Sequence, residues 1–129
     1  ADETHQGLVL RLLQFSQIDN PDTLKLKDKL IALQSKDGGW AQTSDRDSDA
    51  FATGQSLFAL HQAGTPASEP VVRGGLEFLV KTQLADGTWP MQSRPNPETG
   101  RPADDLNPIT YTAAAWAIIG MAQHVKAGQ

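Results

Sequence analysis

The sequence contains no cysteine. Disulfides, thiolate catalysis, cysteine-ligated zinc and haem attachment through a CxxCH pair are therefore excluded. The compartment stays open, since a cytoplasmic and an exported location are both compatible with a cysteine-free chain. Aromatics are scarce, with three Trp, one Tyr and four Phe. Positive charge is short as well: 11 Lys and Arg stand against 15 Asp and Glu, a net charge of −4. That balance offers no broad electropositive surface to a phosphate backbone, so nucleic acid is not an expected partner. No apolar run approaches the roughly 20 residues that cross a bilayer, and no transmembrane segment is predicted. The opening ADETHQG lacks a positive region followed by an apolar one, although a signal peptide already removed would leave no trace. Neither a G-x-G-x-x-G fingerprint nor a lysine-bearing phosphate loop occurs, and no nucleotide or other organic cofactor is predicted.

What remains is the composition of one globular domain over residues 1–129, with 39 % hydrophobic and 20 % charged residues, 11 Gly and 8 Pro. Periodicity predicts about five helices and no strand. Leu8, Val9, Leu12, Leu13 and Phe15 give HQGLVLRLLQFSQI a helical apolar face before Asn20-Pro21-Asp22 interrupts it. Pro21 suits a helix start with Asp22 in its first turn, and the next helix carries Leu26, Leu30, Ile31 and Leu33. A third helix is expected from about Ala50, capped by Asp49 or Ser48 and closed by Gly64 and Pro66. Ser68 is the expected cap of a fourth, with Glu69 and Pro70 in its opening turn. NPITYTAAAWAIIGMAQH reads as a packed terminal helix. Before it lies a long polar, proline-rich loop at about 90–108.

Two of the helices lead into nearly the same words. QSKDGGW at 34–40 returns 49 residues later as QLADGTW at 83–89. Gln34, Asp37, Gly38, Gly39 and Trp40 thus correspond to Gln83, Asp86, Gly87 and Trp89 at matching spacings. Glycine permits a sharp reversal, Asp accepts backbone hydrogen bonds, Gln satisfies backbone polar groups, and the indole is an apolar plate with one donor. Matching the two turns also matches their preceding helices, and Ala52-Thr53 then resembles Tyr111-Thr112 after ten extra residues in the second loop. This is a repeat of helix pairs with one expanded connection.

The two turns resemble the Q-x-x-x-G-x-W (QW) motif of the squalene–hopene cyclase and protein prenyltransferase superfamily. KLIALQ and FLVKTQ resemble its helical lead-in, and ATGQSLFALHQAG and TYTAAAWAIIGMAQ its inner helices. The resemblance covers about residues 7–124. It implies antiparallel helical hairpins forming part of an α/α toroid, whose inner helices surround a central cavity and whose outer helices shield them. A complete ring has more helices than this chain supplies, so a partial-length segment is implied. Missing repeats of a parent protein, or self-association, would then cover its ends.

Chemistry is less legible. The cyclases' D-x-D-D signature is incomplete, and a zinc set of the prenyltransferase kind needs a cysteine. Asp45, Asp47 and Asp49 in DRDSD would bind Ca²⁺ or Mg²⁺ if the loop turned their oxygens inward, or else solvate the loop and cap a helix. Asp104 and Asp105 are candidate acidic catalytic groups or metal ligands, with solvent exposure as the alternative. Tyr111 and Trp116 either pack between helices or line a cavity for an apolar small molecule. His5, His61 and His124 lack close metal-ligand spacing and are assigned separate surface or packing roles. Ser44, Ser48 and His61 admit a nucleophile–base reading, with helix capping as the alternative for the serines. The expectation is a noncatalytic repeat scaffold or protein-interaction module. The alternatives are a fragment of a terpene-cyclase-like enzyme acting on an isoprenoid, and an apolar ligand-binding module.

Overall fold

A computed structural model describes residues 4–17, 20–90 and 107–127, and side chains among them except those of 17, 107–111 and 125–127. The described residues are all-α. Five helices follow one another as α1 (His5–Gln17), α2 (Thr23–Ala32), α3 (Ala50–Gln62), α4 (Pro70–Thr82) and α5 (Asn107–Ala127). An isolated antiparallel bridge joins Trp40 to Asp49. None of the described helices is long and apolar enough to cross a membrane.

Each helix buries the stripe its period dictates. On α1 the buried side chains are His5, Leu8, Val9 and Leu12, positions that stack on one face at 3.6 residues per turn. On α2 they are Leu26 and Leu30, and on α4 Val71, Val72, Phe78 and Leu79. The start of α2 differs from the expectation. Asn20 Oδ1 accepts the Asp22 N–H at 2.8 Å, so the turn spends its side-chain oxygen before the helix, which opens at Thr23 with no side-chain bond from Asp22. At α4 the flanking residue is Glu69 rather than Ser68, because Pro70 takes a first-turn position and fixes the helical φ there.

Helix α3 lies at the centre. It packs most extensively on α5, and also on α1 and α4, while α1 packs on α2. Its Ala50, Leu57, Ala59 and Leu60 are buried together with the polar Thr53, Gln55 and Ser56. The approach to α5 is made backbone to backbone. A Cβ on Gly54 would strike the Trp116 carbonyl, and one on Gly120 would lie 2.7 Å from the Gly54 carbonyl oxygen. Helix α5 is apolar nearly all round, yet among the described helices only α3 covers it extensively, and Ile118 and Ile119 remain 55 % and 40 % exposed.

Candidate functional site: the repeated corner

The two seven-residue turns close in the same way, bond for bond. The Gln34 amide donates to the Gly38 carbonyl at 2.8 Å, and the Gln83 amide to the Gly87 carbonyl at 2.9 Å. Ser35 N–H reaches the Gly39 carbonyl at 2.8 Å, as Leu84 N–H reaches that of Thr88 at 2.7 Å. Asp37 Oδ1 accepts the Gly39 N–H, and Asp86 Oδ1 the Thr88 N–H, each at 2.9 Å. Gly38 and Gly87 sit at φ of 91° and 89°, a left-handed conformation that side chains with a Cβ resist. Each indole turns back onto the helix before it. Trp40 donates to the Leu30 carbonyl and Trp89 to the Leu79 carbonyl, both at 2.8 Å, and both rings are fully buried. A buried indole retains its donor's hydrogen bond this way and lends its apolar area to the core.

One exchange of residues preserves the pattern. At the first corner Ser48 Oγ donates to Asp37 Oδ1 at 2.9 Å. At the second, Thr88 stands where Gly39 would, and its own hydroxyl supplies that bond to Asp86 at 2.6 Å. The two donations from Thr88 hold the Asp86 carboxyl below its ordinary range.

The corners differ in what lies against them. Gln34 also donates to the Val71 carbonyl of α4 at 2.9 Å. A Cβ on Gly38 would strike the Gly74 carbonyl, and one on Gly75 would lie 2.9 Å from Leu57 and 3.1 Å from the Trp40 ring. The first corner is thus seated on the opening turns of α4. Gln83, Asp86 and Gly87 are exposed, and among the described residues a Cβ on Gly87 would meet only Gln83 within 4 Å.

The acidic candidates have local occupations. Asp49 caps α3, accepting the Ala52 N–H at 2.7 Å and the Gln42 amide at 2.8 Å, and its own N–H donates to the Trp40 carbonyl. Burial pushes its carboxyl up, opposed by those donors. Asp45 accepts the Thr43 hydroxyl at 2.6 Å, which holds its carboxyl down. Asp47 is exposed. Among the described residues no group of three or more His, Cys, Asp or Glu is gathered to hold a metal ion. Asp104, Asp105 and the Tyr111 side chain lie outside the described residues, as does 91–106 of the expected long loop. Trp116 is half-buried, edge-on to Phe51 and Phe58 with ring centroids 6.4 Å and 6.0 Å away.

The histidines do not keep separate roles. His61 and His124 meet edge to face with centroids 5.4 Å apart, and His124 Nε2–H donates to the Leu57 carbonyl at 2.8 Å. Ser56 gives its proton to the Ala52 carbonyl, which leaves its oxygen to accept from His5 Nε2–H at 2.6 Å. Burial lowers His5 to about 4, so its ring is neutral and its Nδ1 is an acceptor without a partner among the described residues. His5 also borders an open cleft of about 670 Å³ between the start of α1, the end of α2 and the loop at 41–46, whose described lining mixes Ala32, Leu33 and Ala41 with polar groups and includes Arg46 but no carboxylate. The nucleophile–base grouping does not form, since Ser48 bonds Asp37 and His61 faces His124. Sequence spacing carries no signal for His5–Ser56 or His61–His124, because each pair joins different helices.

No family model matches the sequence. Among curated proteins, the chain is similar to the squalene–hopene cyclase of Bradyrhizobium diazoefficiens, 34 % identical over 85 residues. The match covers 57 % of this chain and 13 % of that enzyme, so the chain spans a small part of the relative's length.

Proposed function

We propose that this chain is a noncatalytic α/α-repeat module of the squalene-cyclase-like kind, which joins successive helical units of a larger assembly through its corners. One observation carries the reading: Gln34 and Gly38 clasp the start of α4 across the boundary between units, while the same corner recurs at Gln83–Trp89. Two of the loop carboxylates are occupied by capping and turn hydrogen bonds rather than by an approach to an apolar cleft. A scaffold needs repeated geometry, and the recurrence of the corner supports that reading.

The second reading is a fragment of a terpene-cyclase-like enzyme, favoured by the 34 % identity to a squalene–hopene cyclase. It makes Asp104 and Asp105 the acids, with Tyr111 and Trp116 along an apolar path and missing repeats completing the cavity. Incubation of the chain with squalene, followed by gas chromatography of the extract, separates the two. Unchanged squalene is the expected outcome, and a cyclised product would overturn the noncatalytic reading. Saturable quenching of Trp fluorescence by squalene without turnover would replace it with an apolar ligand-binding module.

A further inference from the structure

The contact between α3 and α5 holds a polar atom that packing alone does not explain. His124 is 1 % exposed, and its Nδ1 has no hydrogen-bond partner among the described residues. A bare buried acceptor is costly, and native structures rarely keep one without a water, an ion or a function behind it. The tautomer is fixed, because Nε2 meets the Leu57 carbonyl at 2.8 Å and a carbonyl can only accept. Nδ1 therefore carries a lone pair. Burial holds His124 below the ordinary histidine range, so near neutral pH no proton occupies that lone pair.

The second imidazole is brought there by the helix itself. Leu57 and His61 are one turn apart on α3, and a helical side chain leans back over the turn before it, which carries His61 toward the carbonyl that His124 bonds. The two rings meet with centroids 5.4 Å apart and planes at 82°. Their approach is set by backbone rather than by side chains, since Gly120, one turn before His124, lies against the Gly54 backbone.

We infer that His61 and His124 form a two-histidine site for a tetrahedral transition-metal cation of the zinc class, held by His124 Nδ1 and one His61 ring nitrogen, with water at the remaining positions. Three observations carry this. With metal–nitrogen bonds of about 2.0 Å, a tetrahedral cation between two imidazoles sets their centroids about 5.2 Å apart, and a right-angled octahedral pair about 4.5 Å apart. The observed 5.4 Å fits the first. Edge-to-face packing would also account for that distance, but not for the bare Nδ1. The bond from His124 Nε2 to Leu57 is the outer-shell contact that metal-bound histidines make, fixing the tautomer and aim of the ring. His61, half-buried, is the way in: a turn of its ring about Cβ–Cγ aims a nitrogen at the position facing Nδ1. Neutral imidazoles suit zinc and its neighbours rather than Ca²⁺ or Mg²⁺. With two protein ligands, the ion is exchangeable and clasps α3 to α5. The inference does not depend on the module reading, because the same two helices meet in an enzyme fragment.

The full 129-residue chain, stripped of metal with a chelator, is titrated with Zn²⁺ while its thermal unfolding is followed. A saturable rise in the midpoint is expected, since a cation that binds only the folded chain stabilises it by mass action. The affinity from calorimetry should fall at least about tenfold in His61→Phe, the loss that removal of even an outer-shell partner causes at metal sites. Phe keeps an aromatic edge against His124, and the metal-free midpoint of the variant checks that it folds. A second measurement needs no substitution. Imidazole nitrogen NMR of the parent chain should show zinc moving His61 and His124 while leaving His5, whose Nε2 is bonded to Ser56. Co²⁺ in place of zinc should give the intense visible bands of a four-coordinate ion. Equal zinc affinity in His61→Phe, histidine resonances that do not move, or an unchanged midpoint at millimolar zinc would overturn the inference, leaving an adventitious ion only. A six-coordinate cobalt spectrum would overturn it as well. The squalene assay is independent of every one of these outcomes.

Discussion

At the scale of single residues, the paired corners form an internal control. Gly38 and Gly87 have the same left-handed φ, so alanine at either carries a conformational cost of about 1 kcal/mol. Only at Gly38 does the new methyl also strike the Gly74 carbonyl. Gly38→Ala should therefore cost about 1–3 kcal/mol more than Gly87→Ala, a gap that urea unfolding of the two variants measures directly. His5 is a second residue-level case. Its folded pKa is lowered from 6.5 to about 4 by burial, so between those values the unfolded chain binds the extra proton. Stability is then fully present above pH 6.5, declines as pH falls toward 4, and levels off below, with a span of about 3 kcal/mol. His124 is lowered by burial too, against its bond to Leu57, and acts in the same direction, whereas the raised Asp49 acts oppositely. Urea midpoints measured from pH 7.5 to 4.5 should fall in the parent protein and fall less steeply in His5→Gln.

At the scale of elements, α3 explains why the helices hold together. It reaches α5 through Gly54 and Gly120, whose missing side chains let two backbones touch, and such an approach has no slack for an added methyl. Gly54→Ala should push α3 and α5 apart and cost about 1–3 kcal/mol, accompanied by faster amide exchange along α5 than along α1 or α2. The start of α3 has a separate support in Asp49, which satisfies the Ala52 N–H while also receiving Gln42. A loop carboxylate in that position stabilises a helix end, where unpaired N–H groups and the positive end of the dipole favour it.

At the scale of the whole molecule, stability should divide unevenly between two chemically identical glutamines. Gln34 bonds Gly38 within its corner and Val71 across to α4, whereas among the described residues Gln83 bonds Gly87 alone, and it is exposed. Gln34→Ala leaves two carbonyls without that donor and should destabilise the chain by about 1–3 kcal/mol. Gln83→Ala, whose groups water can reach, should cost under about 1 kcal/mol. Thermal unfolding of the two variants compares them, and equal losses would contradict the clasp that Gln34 makes on α4. A similar asymmetry appears in α5, apolar nearly all round but covered extensively, among the described helices, by α3 alone.

The sequence by itself determined the all-α class, the positions of the helices and the equivalence of the two corners. Those features are local: a 3.6-residue apolar period, helix-stopping Gly and Pro, and a Gln, Asp, Gly and Trp whose spacing lets each corner bond mostly within itself and to the helix before it. Asp49 as the cap of α3 was legible for the same reason, while the exact flanking residues of α2 and α4 were not, because Asn20 and Pro70 settle them through turn geometry. Tertiary structure alone decided which corner is clasped, that Ser56 receives His5, and that His61 meets His124. Each of those contacts joins residues 37 to 63 positions apart, where no periodicity reaches, and two of them lie where Gly38 with Gly74 and Gly54 with Gly120 let backbones close on one another.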